Sequence, residues 1–157
     1  MSIKHLLLAA ATVLFAGTAF AAAQFGTRAE AVAMVERAVE LFETQGAEAL
    51  KEAVADADNP QFHDRDLYVF MIGLDGIYAS HGANETLVGQ DVRGVKDASG
   101  FPVGLRLVEA AHTPEPEWVD YVWNNPVTGE EERKSSCIVT LDDTYFVGVG
   151  IYTDHQP

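Results

Sequence analysis

Leu67-Tyr68-Val69-Phe70-Met71-Ile72 is a run of β-formers with no polar interruption. A run of this kind reads as a strand buried on both faces. Asp75-Gly76 follows, a dipeptide that readily turns a chain into a hairpin, and Ile77-Tyr78-Ala79-Ser80-His81 is the returning strand. Downstream, a polar, glycine-dotted loop runs from Gly82 to Gly100. Pro102 stands where a helix would start, and Val103, Leu107, Ala110 and Ala111 line one face of a three-turn helix closed by Pro114 and Pro116. Trp118 to Trp123 reads as the third strand and Asn124 to Glu130 as a long turn. Arg133 to Leu141 is the fourth strand, and Asp142-Asp143-Thr144 turns the chain into the fifth, Tyr145 to Tyr152. Hairpin-length connections make the sheet antiparallel and the fold class α+β.

Upstream, Thr27-Arg28-Ala29-Glu30 has the form of a capping box, in which hydroxyl and carboxylate satisfy each other's orphan backbone donors. Val32, Val35, Val39 and Phe42 then recur at helical spacing, with Met34, Ala38 and Leu41 beside them and charged residues between. The pattern predicts one amphipathic helix that Gly46 stops or kinks, with a second short helix over Ala47 to Ala55. Asp56-Ala57-Asp58-Asn59-Pro60 ends all helical structure. The first residues have another texture. Met-Ser-Ile-Lys-His precedes an apolar run from Leu6 to Ala16, and Ala19-Phe20-Ala21 supplies an A-x-A end. This is the pattern of a cleavable secretory signal over residues 1–21; the run falls short of the ~20 apolar residues that span a bilayer. The expected product is an exported periplasmic protein with one domain over residues 25–153.

The chain of 157 residues carries 24 acids against 10 bases, a net charge of −14. Removing a leader whose only charge is Lys4 makes the rest one unit more acidic. Such a surface repels phosphate backbones and anionic headgroups, so nucleic acid is not expected as a partner. A single cysteine, Cys137, excludes an internal disulfide, and no Cys/His spacing resembles a zinc site. No catalytic constellation stands out. Ser135-Ser136-Cys137 lacks a nucleophile elbow, and Ser136 points opposite to its neighbours on a strand. Cys137, beside Ile138 and Val139, reads as a small core residue. His63, His81 and His112 are scattered, His155 lies in the tail, and Glu130-Glu131-Glu132 reads as a solvated turn tip. Neither a cofactor nor a metal is implied, and an enzyme is not expected.

Alternation does organise the later strands. Val119, Tyr121 and Trp123 share one face of the third strand, and Lys134 and Ser136 share one face of the next. Tyr121 and Trp123 read either as core or as a pocket wall. Lys134 reads either as an anion-binding group or as a rim lysine neutralising Glu131 or Glu132.

The stretch from about Phe25 to Tyr152 resembles the stand-alone single Cache domain proteins of bacteria, close to the second single-Cache family. The residues that carry the resemblance are Asp66-Leu67-Tyr68-Val69-Phe70, Asp75-Gly76, His81-Gly82-Ala83-Asn84 and Leu87-Val88-Gly89-Gln90-Asp91. Trp118-Val119-Asp120-Tyr121-Val122-Trp123-Asn124-Asn125-Pro126, Lys134-Ser135-Ser136 and Val147-Gly148-Val149-Gly150-Ile151-Tyr152 continue it. The resemblance implies a PAS-like extracytoplasmic fold, a long N-terminal helix packed on a five-stranded antiparallel sheet with a pocket on one face. It also implies a sensor of small carboxylates, of the C2–C4 class, with Tyr121, Trp123 and Lys134 as pocket positions and Tyr68 and His81 beside them. Lys134 would pair with the ligand carboxylate, Tyr121 would donate to it, and Trp123 would wall a short alkyl chain. The family often has a tyrosine in place of Cys137, a change expected to alter the wall beside Lys134. Receptor members continue into a membrane helix and an output module, whereas this sequence ends five residues after Tyr152. The expectation is therefore a sensor acting through a separate membrane receptor, kinase or transporter. The alternative is an envelope assembly protein with a vestigial pocket. The first helix permits a homodimer.

Overall fold

The computed structural model describes residues 24–156, so the expected leader over 1–21 lies outside the described residues. Helix α1 spans Arg28–Ala55. Thr27 caps it as expected: its hydroxyl accepts from the Glu30 amide at 3.3 Å, and the Glu30 carboxylate accepts from the Thr27 amide at 2.7 Å. Gly46 interrupts the helix at φ 85°, ψ 178°, a conformation that costs glycine little and an L side chain a great deal. The kink lets both halves follow the sheet, burying Ala31, Met34, Val35 and Ala38 before it and Leu50 and Val54 after it.

Among the described residues six strands form one antiparallel sheet: β1 His63–Asp64, β2 Leu67–Gly73, β3 Tyr78–His81, β4 Glu117–Asn124, β5 Glu131–Thr140 and β6 Tyr145–Tyr152. Their order is β1-β2-β6-β5-β4, with β3 pairing β2 as well. Five were expected. The additional strand, β1, is two residues long and folds back on β2 through Arg65 at φ 59°. A two-residue strand has no periodicity to read, and a positive φ at arginine carries no sequence signal.

The apolar run of β2 is buried at every position because its two faces meet different layers. Leu67, Val69 and Met71 pack against α1 with Val147, Val149 and Ile151. Tyr68, Phe70 and Ile72 face the opposite layer, formed by helix α2, Val103–Ala110, and the loop that precedes it. Burying each large apolar side chain is worth roughly 1.5–3 kcal/mol. Helix α2 is eight residues long, just over two turns rather than the expected three. Its loop is fastened to the edge strand by Asp97, whose carboxylate accepts from the amides of Ser99 at 2.9 Å, Phe101 at 2.9 Å and Val122 at 3.0 Å.

The termini meet beside the β4–β5 turn. His155 stacks on Phe25 with ring centres 3.6 Å apart, and its Nε2 lies 2.8 Å from Glu132 Oε2. Glu132 also accepts from Asn125 at 2.8 Å and Thr128 at 2.6 Å. Two expectations change here. Glu132 is a three-partner acceptor rather than a solvated tip, and His155 is part of the clasp rather than of a loose tail. The His155 contact joins residues 23 apart in sequence, while Asn125 and Thr128 hold Glu132 from within its own turn.

Candidate functional site

The site lies on the sheet face that α1 leaves uncovered, under α2. Alternation along β5 sends Lys134, Ser136 and Ile138 to this face and Ser135, Cys137 and Val139 to the helix side. Cys137 accordingly packs among Ala31, Val35 and Leu67 neighbours in the α1 layer. The expectation that it shapes the wall beside Lys134 is corrected: the sheet itself separates the two side chains.

Lys134 is 1% exposed. Its stem passes over Gly150, where a Cβ would sit 2.1 Å from Lys134 Cε. The ammonium rests 3.8 Å from the centre of the Tyr68 ring and 4.8 Å from that of Tyr152, and donates to the Tyr152 hydroxyl at 3.4 Å. Tyr152 in turn donates to the Asn124 carbonyl at 2.6 Å. Among the described residues Lys134 forms no ion pair, so it does not neutralise Glu131 or Glu132. Burial holds its pKa well below the ordinary lysine value, and the negative charge of Asp66 works the other way. The rings supply a cation–π contact, worth more here than at an exposed site.

Tyr121 faces Lys134 across the β4–β5 register and shares a 2.8 Å hydrogen bond with Ser136. Burial pushes its phenol well above the usual value, which keeps it a neutral donor. Trp123 stands edge-on to Tyr121, centres 5.9 Å apart, and is half-buried at the mouth. His81 Nδ1 accepts from the amides of Ala83 at 3.2 Å and Asn84 at 3.0 Å. That assigns its proton to Nε2. Burial, with the nearby Lys134 charge, brings its pKa down to about 3, so the ring is neutral and offers an N–H. Tyr68 packs against this ring at 5.1 Å and Tyr78 at 5.7 Å.

Tyr68, His81, Tyr121 and Trp123 line one cavity together with Phe70, Tyr78, Val103 and Leu107. Its volume is about 10 Å³, room for one water-sized sphere. Tyr68, His81 and Trp123 also form the inner wall of an outer groove of about 190 Å³, completed by Asn84, Leu87 and Pro126. Lys134 lies behind the cavity, under Tyr68. The structure thus brings Tyr68, His81, Tyr121 and Trp123 together on the cavity wall and leaves Lys134 outside that lining, against the Tyr68 ring. Sequence reasoning missed Phe70, Tyr78, Asp66 and Tyr152. Strand parity with Tyr68 could have found Phe70; Tyr152 needed the β5–β6 register, which places it directly beside Lys134. Among the described residues no group of acidic, histidine or cysteine side chains could hold a metal ion.

The chain thus has an α+β fold with a helix on one face of an antiparallel sheet and an aromatic cavity on the other. The model of the family described as single Cache domain 2 matches residues 20–155, and the chain belongs to that family. Methyl-accepting chemotaxis protein McpP of Pseudomonas putida is 30% identical over 93 residues, 59% of this chain and 17% of that receptor. The chain therefore corresponds to a minor part of the receptor's length. A methyl-accepting chemotaxis protein of Vibrio parahaemolyticus has the same fold, with TM-score 0.70 at 21% identity over 82% of this chain and 90% of that one. A structure described as the periplasmic sensor domain of a chemotaxis protein matches with TM-score 0.61 at 25% identity, covering 77% of this chain and 86% of its own. A Cache chemosensory domain described for its recognition of carboxylic acid matches with TM-score 0.61 at 22% identity, covering 77% and 84%. No helix among the described residues is long and apolar enough to cross a membrane.

Proposed function

We propose that this domain is an extracytoplasmic sensor that binds a C2–C4 carboxylate in the aromatic cavity and acts through a separate membrane signalling or transport partner. One observation carries the reading: a lysine buried to 1% exposure that has no ion-pair partner among the described residues. A buried ammonium with no carboxylate in direct contact is costly, and a ligand carboxylate would supply that contact. Tyr121 and the His81 Nε2–H supply neutral donors on the same wall, while Phe70, Val103 and Leu107 suit a short alkyl chain. The relatives support the sensor role, since those compared are chemotaxis receptors and chemosensory domains, one described for carboxylic acid recognition.

With about 10 Å³ free, the cavity must open to admit even acetate. Tyr68, His81 and Trp123 line both the cavity and the outer groove, so the route in would pass between them. The test is a thermal-shift screen with acetate, propionate, lactate and pyruvate. A ligand at ~100 times its dissociation constant adds about 2.7 kcal/mol, a rise of several degrees. The shift should be absent in Lys134→Ala. No shift with any carboxylate refutes the reading and leaves the assembly role.

A further inference from the structure

Asp66 is a fully buried carboxylate that the binding reading does not use. It is 0% exposed, its Oδ1 accepts from the Gly26 amide at 2.6 Å, and its Oδ2 is buried without a hydrogen bond. Such an oxygen costs free energy unless a positive charge lies near. The guanidinium of the adjacent Arg65 is directed to Asp64 Oδ2 at 2.6 Å, Glu30 Oε1 at 2.7 Å and the Phe25 carbonyl at 3.0 Å. The sheet register identifies the other cation. Lys134 and Tyr152 are direct neighbours across β5 and β6, and Val69 pairs Val149 across β2 and β6. Carried three residues back, that second register sets Asp66 at the end of a Lys134–Tyr152–Asp66 row. Three strands span only about 10 Å, a gap that the extended lysine stem crosses in part.

We infer that Asp66 is the positioning residue of Lys134: pinned through Oδ1 by Gly26, it presents Oδ2 as the counter-charge that keeps the ammonium ready over Tyr68 and Tyr152. The functional meaning of this assignment rests on the carboxylate reading above. The two charges are felt at both ends, the lysine opposing the upward pull of burial on Asp66 and the aspartate opposing its downward pull on Lys134. The other titratable groups around the ammonium are Tyr68 on β2, His81 on β3, Tyr121 on β4 and Tyr152 on β6, all of them held neutral by burial. Asp66 is then the charged side chain that acts on its protonation. A ligand carboxylate would take over the role of Oδ2 from the cavity side.

The test uses Asp66→Asn, which keeps the acceptor for Gly26 and removes the charge. The titration of Lys134 is followed by the ¹³C NMR signal of Cε in the ligand-free protein, assigned by its loss in Lys134→Met. The midpoint should fall by about one pH unit or more. In the same variant the affinity for propionate should drop by up to about tenfold at pH values above the new Lys134 midpoint and recover below it. An unchanged midpoint overturns the inference and makes Asp66 only an anchor for Gly26. If Asp66→Asn does not fold, the double variant Asp66→Asn/Lys134→Met decides. Recovery of folding supports the pairing, and failure to recover overturns it. Because the titration needs no ligand, failure to bind any carboxylate would refute the binding reading without touching this result.

Discussion

Gly150→Ala probes the seat of Lys134 directly. Gly150 is strand backbone outside the left-handed region, so alanine fits its conformation and by itself stabilises by about 0.4–1 kcal/mol through the unfolded chain. Against that, the added Cβ would lie 2.1 Å from Lys134 Cε and 2.4 Å from Ser136 Oγ, where carbon contacts normally sit at about 3.5–4.0 Å. Neither neighbour is free to retreat: Lys134 and Ser136 are buried, and Ser136 is tied to the Tyr121 hydroxyl at 2.8 Å. Overpacking of this kind costs about 1–3 kcal/mol. The net expectation is a destabilisation of about 1–2 kcal/mol, or a fall in Tm of about 3–6 °C, read by urea and thermal denaturation. Carboxylate affinity should fall with it, since the ammonium is lifted off Tyr68. Adding Lys134→Ala should relieve part of the cost, giving a coupling of about 1 kcal/mol in a double-mutant cycle. Wild-type stability with strictly additive double-variant behaviour would refute the placement of the lysine stem over Gly150.

Three further outcomes are expected. His81 has a folded pKa of about 3 against the ordinary histidine value of 6.5, so the unfolded chain binds the extra proton between those values. Stability is then full above pH 6.5 and declines as pH falls toward 3, by up to ~1.4 kcal/mol per unit; His81→Asn, which keeps an acceptor for the Ala83 and Asn84 amides, should show a shallower decline in urea titrations at pH 4.5 and 7.5. Asp97→Ala removes the acceptor shared by three amides and should cost about 1–2 kcal/mol, with faster hydrogen exchange at the Val122 amide as the specific sign. The Cys137 thiol is buried and its pKa raised by that burial, so iodoacetamide should label it in denaturant and spare it in the native protein; rapid native labelling would contradict its place under α1.

Much of this molecule is legible in its amino-acid sequence because the signals are local. The capping box at Thr27 and Glu30, the kink at Gly46 and the Asp75-Gly76 hairpin each depend on residues a few positions apart. Strand parity alone separates Tyr121 and Trp123 from Trp118, and Lys134 and Ser136 from Cys137. Tertiary structure decided what those side chains do. Whether Lys134 was a rim residue or a buried cation depended on β6 lying against β5, which puts Gly150 under its stem and Tyr152 beside it. The neutral state of His81 depended on burial among Tyr68, Phe70 and Tyr78 and on two amides of the next loop. The unbonded Asp66 oxygen and the His155–Glu132 clasp arise only when segments 23 to 40 residues apart are packed together. Periodicity reports which face a residue takes; the charge state and partners of a buried group are set by the dielectric and dipoles of every strand around it, and only the folded sheet assembles those.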